Sequence, residues 1–236
     1  MALILIGTGV AFDLTLSGIE ALRSCKEAFI ETYTNPIERE RIATLEGLVD
    51  KRIVKLERGH LESPYLVEKA KTEDICILAS GDPLTATTHI TLVLEAKQKG
   101  IPVRVIHNSS IHSVAPARAG LQIYRFGKTA SLVNPRPNYK PTSSLDIVRE
   151  NLSRNLHTLV LLDTEPQPME AKAALDMLAK SGIENVVVLS RVGEKDEKIN
   201  YGKIDDLKKK SLGRPPFCVI VPARLHDLEE EYLSGL

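Results

Sequence analysis

The stretch Ser80–His89 holds residues whose types and spacing suit a ligand site. Asp82 follows a short apolar run, and such a run is typical of a buried strand in a parallel sheet. Gly81 permits a sharp turn, while Pro83 fixes φ and removes a backbone donor. We therefore expect Asp82 at the carboxyl end of a parallel strand, where open α/β sheets bind ligands. The alternative is an Asp-Pro pair that only begins the next helix.

A second polar segment, Asn108–Ser113, follows the next apolar run. The carboxyl ends of parallel strands meet at one edge of a sheet, so this segment should lie close to Asp82. Hydroxyl side chains between Thr85 and His89 favour the same site, because they weaken a helix unless they line something polar. His112 is a candidate general base, although a lone histidine in a polar loop more often only forms hydrogen bonds.

The turn Gly7-Thr8-Gly9 lies between a predicted strand and a predicted helix. Phe12 stands where the dinucleotide-binding fingerprint needs its third glycine, which argues against that fingerprint. Glu31, at the end of the second apolar run, is the candidate for the ribose-binding acid of such a site. Two interpretations stay open, a tight strand-to-helix turn and a ligand site lined by backbone.

These loops must be positioned by alternating strands and helices, a pattern that predicts a mostly parallel sheet. The pattern changes in a segment of small residues that contains Pro116 and Gly120. We expect an N-terminal α/β domain at 1–113 with a mostly parallel sheet, and a C-terminal α/β domain at 114–236 with a mixed sheet. The predicted elements of the first are strands 2–6, 28–33, 74–79 and 102–106 and helix 87–99.

In the second domain, Leu121–Asn134 is predicted as strand, turn and strand around Gly127, and Pro135–Pro141 as a polar loop. Periodicity predicts helices and strands in alternation after that loop. They are helix 144–154, strand 157–162, helix 168–181, strand 185–190, a hairpin-like stretch through Gly193 and Gly202, strand 217–221 and a terminal helix.

Composition excludes several classes of function. The 31 basic and 31 acidic residues among 236 give no net charge, which argues against binding nucleic acid or membranes by bulk electrostatics. Aromatic residues make up 4% and tryptophan is absent, so there is little to build a base-stacking surface.

Cys25, Cys76 and Cys218 have no metal-ligand spacing, and we expect free thiols and no metal site. The short apolar N-terminus reads as a strand rather than a signal peptide, and we expect a cytoplasmic protein.

Motifs along the whole chain carry a family resemblance. Gly7-x-Gly9 and Gly81-Asp82-Pro83 are marks of the tetrapyrrole methylase superfamily. Narrower marks are Glu31-x-Tyr33-Thr34, Leu84-x-Ala86-Thr87-Thr88-His89, His107-Asn108-x-Ser110-Ile111, Gly120-Leu121-Gln122-x-Tyr124-x-Phe126-Gly127-Lys128, Pro141-Thr142-Ser143, Leu156-His157-Thr158-Leu159 with Leu162-Asp163, Pro215-Pro216 with Val221-Pro222, Leu225-His226 and Glu230. On these motifs the chain resembles the diphthine synthases, a family of class III S-adenosylmethionine-dependent methyltransferases.

This resemblance implies two α/β domains with the cofactor in the cleft between them, and a homodimer. The cofactor would be S-adenosyl-L-methionine, with S-adenosyl-L-homocysteine as product. By position, the implied cofactor contacts are Val10, Asp82, Thr85, Ser110, Ile111, Leu162, Val192 and Phe217. Several of these residues are apolar, which suits contacts made through backbone groups.

The reaction implied by the resemblance is repeated methylation of the amino group of 3-amino-3-carboxypropyl-histidine in translation elongation factor 2, giving diphthine. His112 and Asp163 are weak candidates for a base, and bulk water is favoured because the amine can lose its proton before it binds. A cation could hold the substrate carboxylate, and the candidates are Arg118, Arg125 and Lys128; solvated surface charges are the alternative.

Other functions remain as alternatives. A tetrapyrrole C-methyltransferase of the cobalamin or siroheme pathway would share the cofactor but need a large apolar cleft for a macrocycle. A nucleotide-binding protein without catalysis would bind NAD or ATP instead. The chain departs from the family in two places: the loop after Gly9 is shorter and keeps one clear acid, Asp13, and the stretch Thr164–Lys172 lacks the family's longer form.

Overall fold

The computed structural model describes residues 1–33, 35, 37–61, 63–134, 142–165 and 167–236. They form two compact units, Met1–Ser110 and Ile111–Leu236. The boundary predicted after residue 113 falls inside a helix, Ile111–Arg118, that belongs wholly to the second unit. The loop predicted at 135–141 lies outside the described residues.

The first unit contains a parallel sheet in the order β3-β2-β4-β1-β5. This confirms the predicted parallel arrangement. The strands are β1 (Leu3–Gly7), β2 (Glu27–Glu31), β3 (Ile53–Leu56), β4 (Ile75–Ala79) and β5 (Val103–Ile106). The helices are α1 (Leu16–Ser24), α2 (Arg39–Val49), α3 (Arg58–Leu61), α4 (Tyr65–Lys69) and α5 (Ile90–Gln98).

Both faces of this sheet are covered, which is why its central strands are apolar without alternation. Successive side chains of β1 point to opposite faces. Ile4 and Ile6 pack in one apolar cluster with residues of α1 and α2. Leu3 and Leu5 pack in the other cluster with residues of α4 and α5. Because β1 is packed on both faces, the position of its carboxyl end, and of the loop that follows it, is fixed.

The second unit contains a mixed sheet in the order β6-β7-β10-β8-β9, as predicted. Strands β6 and β7 are parallel, and the other pairs are antiparallel. The strands are β6 (Ala130–Leu132), β7 (Thr158–Leu162), β8 (Asn185–Ser190), β9 (Lys198–Lys203) and β10 (Phe217–Val221). The helices are α6 (Ile111–Arg118), a 3-10 helix (Ile123–Arg125), α7 (Ser143–Ser153), α8 (Ala171–Ala179), α9 (Ile204–Leu207) and α10 (Asp227–Ser234).

The predicted strand, turn and strand around Gly127 is wrong. The chain does not fold back there: the Gly127 amide donates to the His157 carbonyl at 2.9 Å, and the His157 amide donates to the Arg125 carbonyl at 2.8 Å. The segment therefore runs beside the start of β7 and continues into β6 in the same direction. Gly127 serves close packing, because a Cβ there would lie 2.1 Å from Asn151 Oδ1.

Three further features concern the classes of function considered above. Within the described part of the chain, no helix is long and apolar enough to cross a membrane. Among the same residues, no group of three or more His, Cys, Asp or Glu side chains is placed to hold a metal ion. Cys25, Cys76 and Cys218 are buried free thiols.

Candidate functional site

The candidate site of the first unit lies where three neighbouring strands end. Strands β4, β1 and β5 are adjacent and parallel, so the loops that follow them emerge at the same edge of the sheet. Asp82 lies in the loop after β4, and Asn108 lies in the loop after β5. Hydrogen bonds between these two loops confirm the prediction that they meet.

Asp82 ties the two loops together through its carboxylate. Oδ1 accepts from Leu84 N at 3.0 Å and from Thr85 Oγ1 at 3.1 Å. Oδ2 accepts from His107 Nδ1 at 2.7 Å and from Asn108 N at 3.3 Å. Burial is the largest influence and by itself raises the pKa of Asp82, but these hydrogen bonds outweigh it and lower the pKa. The carboxylate is therefore ionised at neutral pH.

A pair of glycines joins the loop after β1 to the loop after β4. Gly9 N donates to Gly81 O at 3.0 Å, and Gly81 N donates to Gly9 O at 3.2 Å. Both glycines have φ near +70°, a conformation that residues with a side chain rarely adopt. A Cβ on Gly81 would find only ordinary contacts, so that glycine is required by its backbone angle rather than by lack of space.

Side chains of the hydroxyl-rich segment after Asp82 form hydrogen bonds within their own loop. Thr87 Oγ1 donates to the Pro83 carbonyl at 2.8 Å, and His89 Nδ1 contacts the same carbonyl at 2.9 Å. The His89 side chain is buried, so it holds the loop in place from inside the fold. Glu31 is also fully buried and accepts from Tyr33 N at 3.2 Å, so in this structure its carboxylate serves the turn after β2.

The residues implied as cofactor contacts fall into two groups, one in each unit. Val10, Asp82, Thr85 and Ser110 lie in the loops of the first unit. Val10 N donates to Ser109 Oγ at 3.2 Å, which places Val10 beside the loop after β5. Ser110 ends the first unit, and Ile111 begins α6 of the second.

The other implied contacts lie at one edge of the second sheet. Leu162 ends β7, Phe217 begins the neighbouring antiparallel strand β10, and Val192 follows the end of β8. Phe217 pairs with Ser190 in the β8–β10 register. The Ser190 hydroxyl donates to Arg214 O at 2.6 Å and accepts from Arg214 N at 3.0 Å, which holds the chain leading into Phe217.

The two candidate bases occupy different environments. Burial lowers the pKa of His112, so its imidazole is neutral at neutral pH, and its buried Nδ1 has no hydrogen-bond partner among the described residues. The Asp163 carboxylate accepts from Asn134 N at 3.0 Å and from Glu165 N at 3.2 Å. Asp163 thus organises the turn after β7.

The three cations considered for a substrate carboxylate each have a carboxylate partner. Arg125 contacts Glu229 and donates to Arg224 O at 2.5 Å. Glu229 is buried and also accepts from His157 at 3.3 Å, so Arg125 neutralises a buried charge. In contrast, the pairs Arg118–Glu197 and Lys128–Glu150 involve cations whose side chains are more than half exposed. Arg125 belongs to the fold, and the other two cations lie at the surface.

Two residues organise the site: Asn108, whose segment was predicted to lie near Asp82, and His107, to which the sequence analysis gave no role there. His107 and Asn108 directly follow β5, and both contact Asp82. Their position after a strand end was the available signal. Hydrogen bonds between loops 25 residues apart in sequence were not readable from either loop alone.

Comparisons with known proteins agree with this architecture. A family model described as tetrapyrrole (corrin/porphyrin) methylases matches residues 2–208. The diphthine synthase of Methanocaldococcus jannaschii is 40% identical over 253 residues, covering 99% of this chain and 98% of that protein. The diphthine synthase of Staphylothermus marinus is 39% identical over 249 residues, covering 98% and 93%. A crystal structure of diphthine synthase aligns with a TM-score of 0.91 at 33% identity, covering 100% of this chain and 95% of that chain.

These matches confirm the resemblance and the predicted α/β fold class. They favour the diphthine synthases over the alternative of a cobalamin or siroheme pathway methylase, because the relatives named above match over nearly their whole length. The chain belongs to the diphthine synthases, within the tetrapyrrole (corrin/porphyrin) methylases, and it is a methyltransferase.

Proposed function

We propose that the protein transfers methyl groups from S-adenosyl-L-methionine to the amino group of the 3-amino-3-carboxypropyl group on a histidine of translation elongation factor 2. Repeated transfer gives diphthine, the precursor of diphthamide. The observation that carries the proposal is 40% identity to a diphthine synthase along almost the entire chain. The polar edge formed by the loops after β1, β4 and β5 supports it independently.

This edge fits S-adenosyl-L-methionine, a ligand with many polar groups. The Gly9–Gly81 pair brings two backbone segments together without side chains, and hydroxyls of Thr85 and Ser109 lie beside them. The proposed contacts are Val10, Asp82, Thr85 and Ser110 in the first unit and Ile111, Leu162, Val192 and Phe217 in the second. Because the Asp82 carboxylate is already occupied by four donors, Asp82 is proposed to contact the ligand through its main chain.

S-adenosyl-L-methionine, when bound, supplies a methyl group on a positively charged sulfur whose leaving group is a neutral thioether. The acceptor nitrogen forms the new N–C bond with its lone pair as the C–S bond breaks, so the amine must be deprotonated first. What the chain must provide is alignment and exclusion of water. Neither His112 nor Asp163 is required as a base in this proposal, because the amine can lose its proton to water before binding.

The acceptor group also carries a carboxylate, which a cation would hold. Arg118 and Lys128 are proposed for this role. The Lys128–Glu150 pair is exposed on both sides, and such pairs are worth at most about 1 kcal/mol and exchange partners easily. The Arg118 side chain is more than half exposed, although that of its partner Glu197 is only 10% exposed. Arg125 is left out, because its withdrawal would leave the buried Glu229 unpaired.

The proposal extends to assembly and location. Resemblance to the family implies a homodimer, which light scattering on the purified protein would test: the expected mass is twice 26.0 kDa. A monomeric mass at working concentrations would contradict it. A protein substrate that takes part in translation implies action in the cytoplasm.

The function is tested with labelled S-adenosyl-L-methionine and three acceptors offered separately. These are elongation factor 2 bearing the aminocarboxypropyl histidine, the same factor with unmodified histidine, and uroporphyrinogen. Label should enter only the modified factor. Label that enters uroporphyrinogen alone would show that the substrate is a tetrapyrrole. Binding of NAD or ATP without binding of S-adenosyl-L-methionine would refute methyl transfer.

A further inference from the structure

One carboxamide closes the loop that follows β1. Asn108 Nδ2 donates to the Gly7 carbonyl at 3.1 Å and to the Asp13 carbonyl at 2.7 Å. These two carbonyls stand at the two ends of residues 7–13, which we call the first loop. Asn108 Oδ1 accepts from Ser109 N at 2.8 Å. Nitrogen faces two acceptors and oxygen faces a donor, so the orientation of the amide is fixed by its partners.

The adjacent Ser109 holds the middle of the same loop. Its hydroxyl accepts from Val10 N at 3.2 Å. The two glycines of the loop leave room for these side chains. A Cβ on Gly7 would lie 2.9 Å from Asn108 Cβ, and a Cβ on Gly9 would lie 3.1 Å from both Asn108 Oδ1 and Ser109 Oγ. Packing against Asn108 and Ser109, together with their hydrogen bonds, thus holds the conformation of the first loop.

The first loop needs such an external hold because its backbone is not favourable by itself. Phe12 has φ of +61°, in the left-handed region that residues with a bulky side chain avoid. The Arg41 guanidinium lies 5.2 Å from the centre of the Phe12 ring and helps to fix it from α2. Without its ties the loop would spend part of its time in other conformations.

We propose that Asn108 is a positioning residue for cofactor binding: it holds the first loop in the conformation that presents Val10. This inference rests on the proposed function for the identity of the ligand. Asn108 touches neither reacting atom in this scheme. Its loss lowers the fraction of protein with a competent loop, and the apparent dissociation constant for S-adenosyl-L-methionine rises by the same factor. Saturating ligand restores the competent loop, so kcat changes little.

The test is Asn108→Asp, which keeps the size and the Oδ1 acceptor but places an oxygen against the two carbonyls. We expect calorimetry to show S-adenosyl-L-methionine binding at least tenfold weaker, with a matching rise in its KM and a fall in kcat of less than threefold. The matched control is Asn155→Asp in the second unit, where Oδ1 accepts from Arg224 N and Asp keeps that contact. The control should bind as the unaltered protein does.

A purely structural role would instead lower the melting temperature and the active fraction, leaving the dissociation constant of the folded protein unchanged, and that result would overturn the proposal. If Asn108→Asp does not fold, Ser109→Ala removes only the bond from Val10 N and should still weaken binding about threefold; unchanged binding would overturn it. The proposed function fails separately, when the unaltered protein binds S-adenosyl-L-methionine but does not methylate elongation factor 2. Absence of binding by the unaltered protein would overturn both.

Discussion

His107 Nδ1 donates to Asp82 Oδ2 at 2.7 Å, and this bond joins the loop after β5 to the loop after β4. The His107 side chain is exposed, whereas the Asp82 side chain is 9% exposed. Asp82 therefore has the properties of a structural anion: its charge is retained because it is surrounded by donors. The candidate site depends on this carboxylate for its shape.

Replacing Asp82 by Asn should loosen the site and change its response to acid. The ionised form is favoured in the folded state, so the stabilisation is fully present above about pH 4 and is lost as pH falls through the lowered pKa. Asp82→Asn should lose about 1–3 kcal/mol at neutral pH, because amide hydrogens would face donors. Its melting temperature should also fall less steeply on acidification.

Melting curves from neutral to acid pH check this prediction, with Asp146→Asn as control. The Asp146 side chain is 63% exposed, and its loss should leave the acid profile unchanged. Parallel profiles for Asp82→Asn and the unaltered protein would show that Asp82 does not supply this stability.

Arg125→Ala should be strongly destabilising. It leaves the Glu229 carboxylate buried, with its charge no longer balanced by the guanidinium. Breaking a buried pair in this way costs about 3–5 kcal/mol. Arg149→Ala, which removes an exposed partner of Asp146, should cost less than about 0.5 kcal/mol. Urea denaturation of both variants measures the difference, and equal losses would contradict the role given to Arg125.

Gly7→Ala should destabilise the protein, because there is no space for a Cβ at this position. A Cβ there would lie 2.5 Å from Gly81 O, a backbone atom, and 2.9 Å from Asn108 Cβ. We expect a loss of about 1–3 kcal/mol or more, together with weaker cofactor binding. Gly47, inside α2, has nothing within 4 Å of its added Cβ, and Gly47→Ala should stabilise the protein by about 0.5–1 kcal/mol. Thermal melting that shows both substitutions neutral would disagree with this packing.

His112→Ala should keep most of the methyltransferase activity, because the acceptor amine loses its proton to water. Activity is measured at saturating S-adenosyl-L-methionine, with binding of that ligand checked by calorimetry. A loss of more than about 100-fold in kcat, roughly 2.7 kcal/mol of barrier, with intact binding would identify His112 as the base.

Sequence reasoning succeeded where local pattern and topology agree. Apolar runs at 74–79 and 102–106 predicted buried parallel strands, and the shared edge at their carboxyl ends predicted that Asp82 and Asn108 meet. The mixed second sheet was likewise predicted. Edge strand β3 was missed, because its two central residues are exposed and one of them is Lys55.

The remaining errors arise from contacts distant in sequence. Gly127 was interpreted as a turn, but it is glycine because Asn151 approaches it. Arg125 was a candidate for substrate binding, but its partner Glu229 lies 104 residues further along the chain. No local pattern distinguishes such residues from those at a ligand site.

The most direct test of the central claim is the intact mass of elongation factor 2 after incubation with this protein and S-adenosyl-L-methionine. The factor should bear the aminocarboxypropyl histidine, with unmodified factor as control. We predict that mass rises in steps of one methylene group, only on the modified factor, and the number of steps counts the methyl groups. No rise in mass, in a protein that binds S-adenosyl-L-methionine, would contradict the proposed substrate.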